Sequence, residues 1–129
     1  VASKKTTVAK VTGNYRVTSY YTGDGCGSGK CTGSGLCTDD FQVNENGWYT
    51  YKGKVVVATA TRYLLKYGYA ERQGIEYHKY YDTLTLTING KSYECIVLDS
   101  CGAAMKKKII DIFVSGPSSV VNAYDVKVK

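Results

Sequence analysis

Short runs of β-branched and aromatic residues, several of them alternating with polar residues, dominate this chain and predict β-strands. Stretch 83–88 (TLTLTI) alternates most strictly. Similar runs predict further strands at 15–21, 55–59, 91–99, 109–114 and 123–129. Because successive side chains of a strand point to opposite faces, the alternation in 91–99 places Cys95, Val97 and Asp99 on one face.

The segments between these runs carry turn and helix signals. Asn89-Gly90 separates two strands and is a strong signal for a two-residue hairpin turn. Apolar positions 60, 63, 64 and 67 form one helical stripe, which we expect to pack on the core, and Gly116-Pro117 predicts the start of a second short helix. Stretch 22–35 is too rich in glycine for regular structure. Six or seven strands, two short helices and no β-α-β rhythm predict a mainly β protein, a small barrel.

The composition predicts one globular domain with an anionic partner. Residues 1–14 are expected to be a tail or linker, and residues 15–129 the folded domain. The net charge is +6, which favours a partner such as an acidic glycan or a polyanionic cell wall. The basic residues are scattered without a binding motif, so no nucleic acid is expected. The chain contains no run of eighteen apolar residues, so no membrane insertion is expected. A chain starting at Val1 is expected to be processed, or one domain of a larger protein.

Five cysteines indicate disulfides and an oxidising compartment. Three lie in or beside the Gly-rich loop and two flank Asp99: Cys26, Cys31, Cys37, Cys95 and Cys101. We expect a disulfide between the loop and Cys101, which lies in a loop, rather than Cys95, which lies mid-strand. Structural zinc is the alternative, but the spacings contain no CxxC, so neither metal nor cofactor is expected. A cysteine nucleophile activated by His78 is a further alternative.

Two aspartates occur within or directly after apolar runs. Asp99 ends the run CIVL, and Asp111 lies inside IIDIFV. An ionised carboxylate is costly in an apolar strand unless it is paired or reached by water or substrate. Two such residues joined by a small-residue loop predict the floor of a cleft. The structural alternative is that both carboxylates pair with Lys106, Lys107 or Lys108.

The order of elements around these aspartates resembles the bacterial three-aspartate domain of lytic transglycosylases and cell-wall resuscitation-type proteins. That family shows a D-T-G-G-A-I-K-G loop and then a strand with Asp between hydrophobic residues. The matching stretches are 99–106 (DSCGAAMK) and 110–112 (IDI), and 20–27 (YYTGDGCG) is similar to the family's opening strand and Gly loop. The D-x-C form also resembles expansin and barwin-like barrels. The resemblance covers residues 18–129.

The resemblance implies a six-stranded double-psi β-barrel with one or two short helices and a Gly-rich loop pinned by a disulfide. It assigns Asp111 as the catalytic acid/base and Asp99 as its supporting carboxylate. The position that matches the family's first aspartate is Ala60. A groove formed partly by Tyr49 and Tyr51 is expected to hold the substrate. Its expected binding residues are Tyr20, Tyr21, Thr22, Trp48, Thr61, Ser100 and Gly102.

The function that the resemblance implies is cleavage of peptidoglycan at the β-1,4 bond between N-acetylmuramic acid and N-acetylglucosamine. The implied location is extracellular or cell-wall associated, including a phage-borne protein. Two alternatives stay open because the first aspartate is missing. One is a non-catalytic barrel that binds peptidoglycan or another cell-wall polysaccharide, as expansin-like barrels do, and the other is a structural module of a secreted or phage-borne assembly.

Overall fold

The residues that this computed structural model describes, 14–25 and 28–129, form a mainly β fold with long connecting loops. The strands are β1 Tyr15–Tyr20, β2 Gln42–Val43, β3 Tyr49–Tyr51, β4 Lys54–Thr59, β5 Thr83–Ile88, β6 Lys91–Ser100, β7 Ile109–Phe113 and β8 Ala123–Val128. The other elements are helix α1 Arg62–Leu65 and 3-10 turns at Thr38–Asp40, Ala103–Met105 and Pro117–Ser119. The predicted fold class is confirmed. Within these ranges, no helix is both long and apolar enough to cross a membrane.

Six of the strands close into a barrel. The order around the barrel is β4, β6, β5, β8, β1 and β7, and β7 pairs back onto β4. The β4–β6 and β1–β7 pairs are parallel, whereas the other four pairs are antiparallel. This closed ring of mixed strands is compatible with a double-psi barrel. The short β2–β3 hairpin extends the sheet from the first residues of β4.

The Asn-Gly turn forms the predicted hairpin between β5 and β6. Asn89 and Gly90 both have positive φ, 51° and 79°. A two-residue turn of this kind needs positive φ at both positions, because its twist then matches the twist of the strands. The turn sets the register of the hairpin, in which Ile88 pairs with Lys91.

Apolar side chains pack on both faces of the barrel wall. Inside the barrel, Val55 and Val57 of β4 pack with Val97, Ile110 and Ile112. On the outer face, a second buried cluster consists of Val56, Ile96, Leu98 and Phe113. Tyrosines and Phe41 cover this outer cluster, so β4 is buried on both sides. Each fully buried side chain of this size contributes about 1.5 to 3 kcal/mol to folding.

Helix α1 is shorter than the sequence predicts. Thr61 caps it by accepting a hydrogen bond from the Leu64 N–H, and the helix ends after one turn. Ala60 is buried, as expected of the predicted stripe, and Leu64 is partly buried. The prediction is wrong for Tyr63 and Tyr67, which are 43% and 69% exposed. A single turn presents too narrow a face to bury all four positions.

The predicted disulfide between the loop and the barrel is wrong. Cys31 pairs with Cys37, six residues away, and so closes the loop on itself. Cys95 is a free, fully buried thiol in the inner core, and its burial raises its pKa to about 12. Cys101 is also free, and its sulfur accepts backbone N–H groups of the following 3-10 turn. Cys26 lies outside the described residues, as does most of the predicted tail.

We predict that the Cys31→Ser/Cys37→Ser double variant lowers the free energy of unfolding by roughly 2 kcal/mol, the entropy that a loop closure this short removes from the unfolded chain. Urea denaturation of both proteins without reductant measures the difference, and reductant should bring the wild type to the variant's value. Non-reducing peptide mapping that links Cys31 or Cys37 to Cys101 would contradict this pairing.

Candidate active site

A β-bulge in β6 brings Asp99 to the outer face of the barrel. Val57 pairs with Val97, but the next residue of β4, Ala58, pairs with Asp99, so Leu98 is an extra residue in β6. Paired residues of neighbouring strands share a face, so Asp99 lies on the side of Ala58. The sequence prediction that Asp99 shares a face with Val97 is therefore wrong. Bulges of this kind are common beside active sites because they redirect a side chain.

Asp111 lies on the same face, on the other side of Ala58. In β7 it pairs with Ala58, and in the parallel β1–β7 pair it lies opposite Thr18. The four residues Asp99, Ala58, Asp111 and Thr18 thus form one row across β6, β4, β7 and β1. The small side chain of Ala58 leaves open space between the two carboxylates.

Three residues of this row, Asp99, Ala58 and Asp111, form the floor of an open cleft of about 420 Å³. Two segments on either side complete it, the Gly-rich loop after β1 and the turn after β6. The cleft is lined by Ser19, Tyr20, Asp24, Ser28, Gly29, Cys31, Ala58, Asp99, Ser100, Cys101 and Asp111. Four of the predicted site residues are therefore brought together: Asp99, Asp111, Tyr20 and Ser100.

Hydrogen bonds hold the carboxylate of Asp99 from three directions. Its Oδ1 accepts the backbone N–H groups of Gly33 and Ser100, both at 2.9 Å, and its Oδ2 accepts the Tyr20 hydroxyl at 3.0 Å. These three donors fix the position of the carboxylate between β1, β6 and the Gly-rich loop. A Cβ at position 33 would overlap the Tyr80 hydroxyl, so a larger residue there would displace that hydroxyl.

Asp111 is in a different environment. Its one side-chain hydrogen bond comes from the Thr18 hydroxyl, at 3.0 Å from Oδ1. Burial raises the pKa of Asp111 to about 6, and the negative charges of Asp24 and Asp99 add to this effect, while the Thr18 bond opposes it. A carboxyl group with such a pKa carries its proton in about half of the molecules at pH 6 and about a tenth at pH 7, far more than an ordinary Asp, so it can act as a general acid.

Asp24 is a third carboxylate of the cleft that the sequence analysis missed. It lies in the turn after β1, where its Oδ2 accepts the Tyr21 backbone N–H at 3.2 Å and the Ser28 hydroxyl at 2.9 Å. The Asp24-Gly25 pair in the sequence is a signal for such a local turn. Its proximity to Asp111 follows only from the parallel β1–β7 pairing.

Tyr20 connects the cleft to the outer aromatic cluster. Its ring stacks on Phe113 with centroids 4.6 Å apart and parallel planes, and Tyr49 packs against Phe113 from another side. Burial and the adjacent charge of Asp99 raise the pKa of Tyr20 well above its usual value. The hydroxyl therefore stays protonated and keeps donating to Asp99 at physiological pH.

Ser100 connects the cleft to helix α1 through a chain of hydroxyl groups. Its Oγ lies 2.7 Å from Thr61 Oγ1 and 2.7 Å from the Tyr80 hydroxyl. Thr61 is fully buried, so its role is to cap α1 and to orient Ser100 rather than to contact substrate directly. Tyr80 was not among the predicted site residues.

The remaining predicted binding residues do not line the cleft. Trp48 is 7% exposed and packs in the inner core against Tyr93, with centroids 4.9 Å apart. The hydrophobic area of Trp48 stabilises the barrel instead of holding substrate. Tyr21 also packs against the inner core, the Thr22 hydroxyl bonds a carbonyl of its own loop, and Gly102 begins the turn at Ala103–Met105. Tyr49 and Tyr51 pack around the outer cluster.

The thiol of Cys101 lines the cleft but is poorly suited to nucleophilic attack. Burial is the main cause of its raised pKa, and a raised pKa lowers the fraction of the reactive thiolate. His78, which the sequence offered as its activating base, instead lies 3.6 Å from Asp82 and 3.9 Å from Glu76. The carboxylates are therefore the reactive groups that the cleft offers.

No protein-family model, curated protein or solved structure matches this chain. Among residues 14–25 and 28–129, no group of three or more His, Cys, Asp or Glu side chains is arranged to hold a metal ion. The reactive and polar side chains that line the cleft are three carboxylates, a neutral tyrosine hydroxyl, three serine hydroxyls and the Cys101 thiol.

We predict that Asp111→Asn stabilises the protein at pH 7 by roughly 2 to 3 kcal/mol, with the gain disappearing below about pH 4. The pKa of Asp111 rises from 3.8 to about 6 on folding, so the folded state binds the proton more tightly. The wild type therefore loses stability as pH rises between these values, whereas Asn has no charge to bury. Thermal melts of both proteins from pH 3 to pH 8 measure this, and parallel pH profiles would contradict it.

Proposed function

We propose that this domain cleaves the glycan strands of peptidoglycan as a lytic transglycosylase, with Asp111 as a single acid/base. One observation carries the proposal. A half-buried carboxyl group, Asp111, shares an open cleft with a carboxylate, Asp99, that accepts three hydrogen bonds. The first environment raises the pKa of Asp111 and so favours a proton donor, and the second holds a carboxylate at a fixed position beside it, an arrangement that suits acid–base chemistry.

Three features support membership of the three-aspartate group. The barrel is closed and mixed, Asp99 precedes the turn at Ala103–Met105, and Asp111 lies in the middle of β7. The missing first aspartate also has a substitute. Asp24 supplies a third carboxylate to the cleft from the Gly-rich loop.

The proposed reaction needs one proton donor and no activated water. Asp111 donates its proton to the glycosidic oxygen as the bond between that oxygen and the anomeric carbon breaks. The 6-hydroxyl of the muramic acid residue then attacks the anomeric carbon, and the Asp111 carboxylate accepts its proton. The products are a 1,6-anhydro sugar end and a free hydroxyl on the leaving sugar, and Asp111 is again protonated.

The other cleft residues assist this acid in different ways. The negative charge of Asp99, fixed by Tyr20 and two backbone N–H groups, stabilises positive charge that develops at the anomeric carbon. The charges of Asp24 and Asp99 also help to keep Asp111 protonated, because both raise its pKa. A hydrolase, in contrast, needs a second carboxylate as nucleophile or base.

A glycan-binding barrel without catalysis is the second candidate. The observation that favours it is the environment of Ala60, the position that matches the family's first aspartate. Ala60 is 1% exposed and packs with Ile75, Ala104 and Met105, so no carboxylate fits there without repacking. An extracellular or cell-wall location suits both candidates, and the Cys31–Cys37 disulfide supports it.

We predict that Asp111→Asn lowers the release of anhydro-muropeptides from purified peptidoglycan by about 10²- to 10⁴-fold, the usual contribution of a positioned acid/base. Asn cannot donate a proton as an acid but keeps the acceptor for Thr18. Asp99→Asn should lower release less, since Asp99 acts through charge and position. Mass spectrometry of the soluble products measures the anhydro-muropeptides that the wild type and the two variants release.

Asp125→Asn is the matched control, because Asp125 is exposed on β8 and lies outside the cleft. Its product release should equal that of the wild type. Unchanged release by Asp111→Asn would contradict the mechanism. Reducing-end products would indicate a hydrolase, and intact binding with no products from the wild type would favour the binding barrel.

A further inference from the structure

We propose that Tyr63, Tyr67 and Tyr80 form an aromatic subsite that binds sugar rings of the same peptidoglycan strand beside the cleft. This inference rests on the proposed function, because it extends the same bound strand. The Tyr63 ring lies between the other two, with centroids 5.0 Å from Tyr67 and 5.6 Å from Tyr80. We refer to these three residues as the tyrosine platform.

The solvent exposure of the platform indicates that it binds a ligand. Tyr63 of α1 is 43% exposed and Tyr67, just after α1, is 69% exposed, although α1 begins directly after a buried segment. Clustered exposed aromatics are uncommon on a protein surface unless they bind something. Their rings offer apolar faces and their hydroxyls offer polar tips, which matches the faces and hydroxyl groups of a sugar. The two hydroxyls lie 3.2 Å apart, so they present hydrogen-bonding groups together.

Tyr80 links the platform directly to the cleft. Its hydroxyl lies 2.7 Å from Ser100 Oγ, and Ser100 lines the cleft next to Asp99. Gly33, whose N–H binds Asp99, also lies against the Tyr80 hydroxyl, which a larger residue at position 33 would displace. Tyr80 therefore contacts residues on both sides of Asp99, although none of the three tyrosines itself lines the cleft. A ligand that reaches from the cleft to the platform has to be extended, which favours a glycan strand over a separate small ligand.

The charge beside the platform favours an acidic polymer. Arg62 and Lys66 are exposed and lie one turn apart on the segment that carries Tyr63 and Tyr67. Peptidoglycan carries carboxylates on its peptides, whereas chitin is a neutral polymer of a similar sugar. We therefore expect peptidoglycan to bind more tightly than chitin and to lose affinity as salt concentration rises.

The test measures binding in the Asp111→Asn background, so that cleavage does not remove the ligand. Depletion of the protein by purified peptidoglycan sacculi gives the apparent affinity. Tyr67→Ala should weaken binding roughly tenfold, as loss of one aromatic contact does. Tyr67→Phe keeps the ring and should stay close to the parent. Tyr124→Ala is the matched control, because Tyr124 is 65% exposed and lies on β8, outside the cleft.

The outcomes separate this inference from the proposed function. Equal affinities for the parent, Tyr67→Ala and Tyr124→Ala would overturn the platform, as would equal losses in both alanine variants. Tyr67→Ala weakening with no anhydro products from the wild type would keep the platform and reject the transglycosylase. Anhydro products from the wild type together with unchanged binding by Tyr67→Ala would support the transglycosylase and reject the platform. Tighter binding to chitin beads than to sacculi would overturn the choice of an acidic strand.

Discussion

Strand β4 determines both the closure of the barrel and the geometry of the cleft, because it hydrogen-bonds along both of its edges. One edge pairs with β6, and the other pairs first with β3 and then with β7. The pairing with β7 closes the ring at Ala58, the residue that lies between Asp99 and Asp111. A strand so placed is buried on both faces, which explains its unbroken run of valines.

The cleft forms where the tightly packed wall meets irregular backbone. The bulge at Leu98 directs Asp99 outward, and the Gly-rich loop contributes the Gly33 N–H and the Asp24 carboxylate. Asp99 accepts hydrogen bonds from three donors in this arrangement. Among the described residues, Asp111 accepts a side-chain hydrogen bond from Thr18 alone, so the energetic cost of its burial is less fully offset. The barrel therefore loses some stability to hold a protonated acid in place, a common compromise at functional sites.

Local signals predicted the fold, whereas non-local pairing determined the rest of the site. The alternation in 83–88 and the Asn-Gly turn specified β5 and its hairpin, since both depend on neighbouring residues. The bulge at Leu98 left no mark in the sequence, because it depends on the register with β4. Asp24 and Tyr80 reach the cleft through loops of Gly-rich or aromatic sequence with no periodicity. The prediction that Trp48 binds substrate was wrong because the sequence alone does not distinguish an aromatic residue of the core from one that lines a groove.

The central claim is that burial and neighbouring carboxylates raise the pKa of Asp111, so that it can donate a proton beside an Asp99 held by three hydrogen bonds. The most direct test is an NMR titration of the side-chain carboxyl carbon of Asp111 in the wild type and in Asp24→Asn. We expect a pKa of about 6 in the wild type and a lower value in the variant, which lacks one of the neighbouring charges that raise it. A wild-type pKa near 3.8, the ordinary value for Asp, would contradict the account.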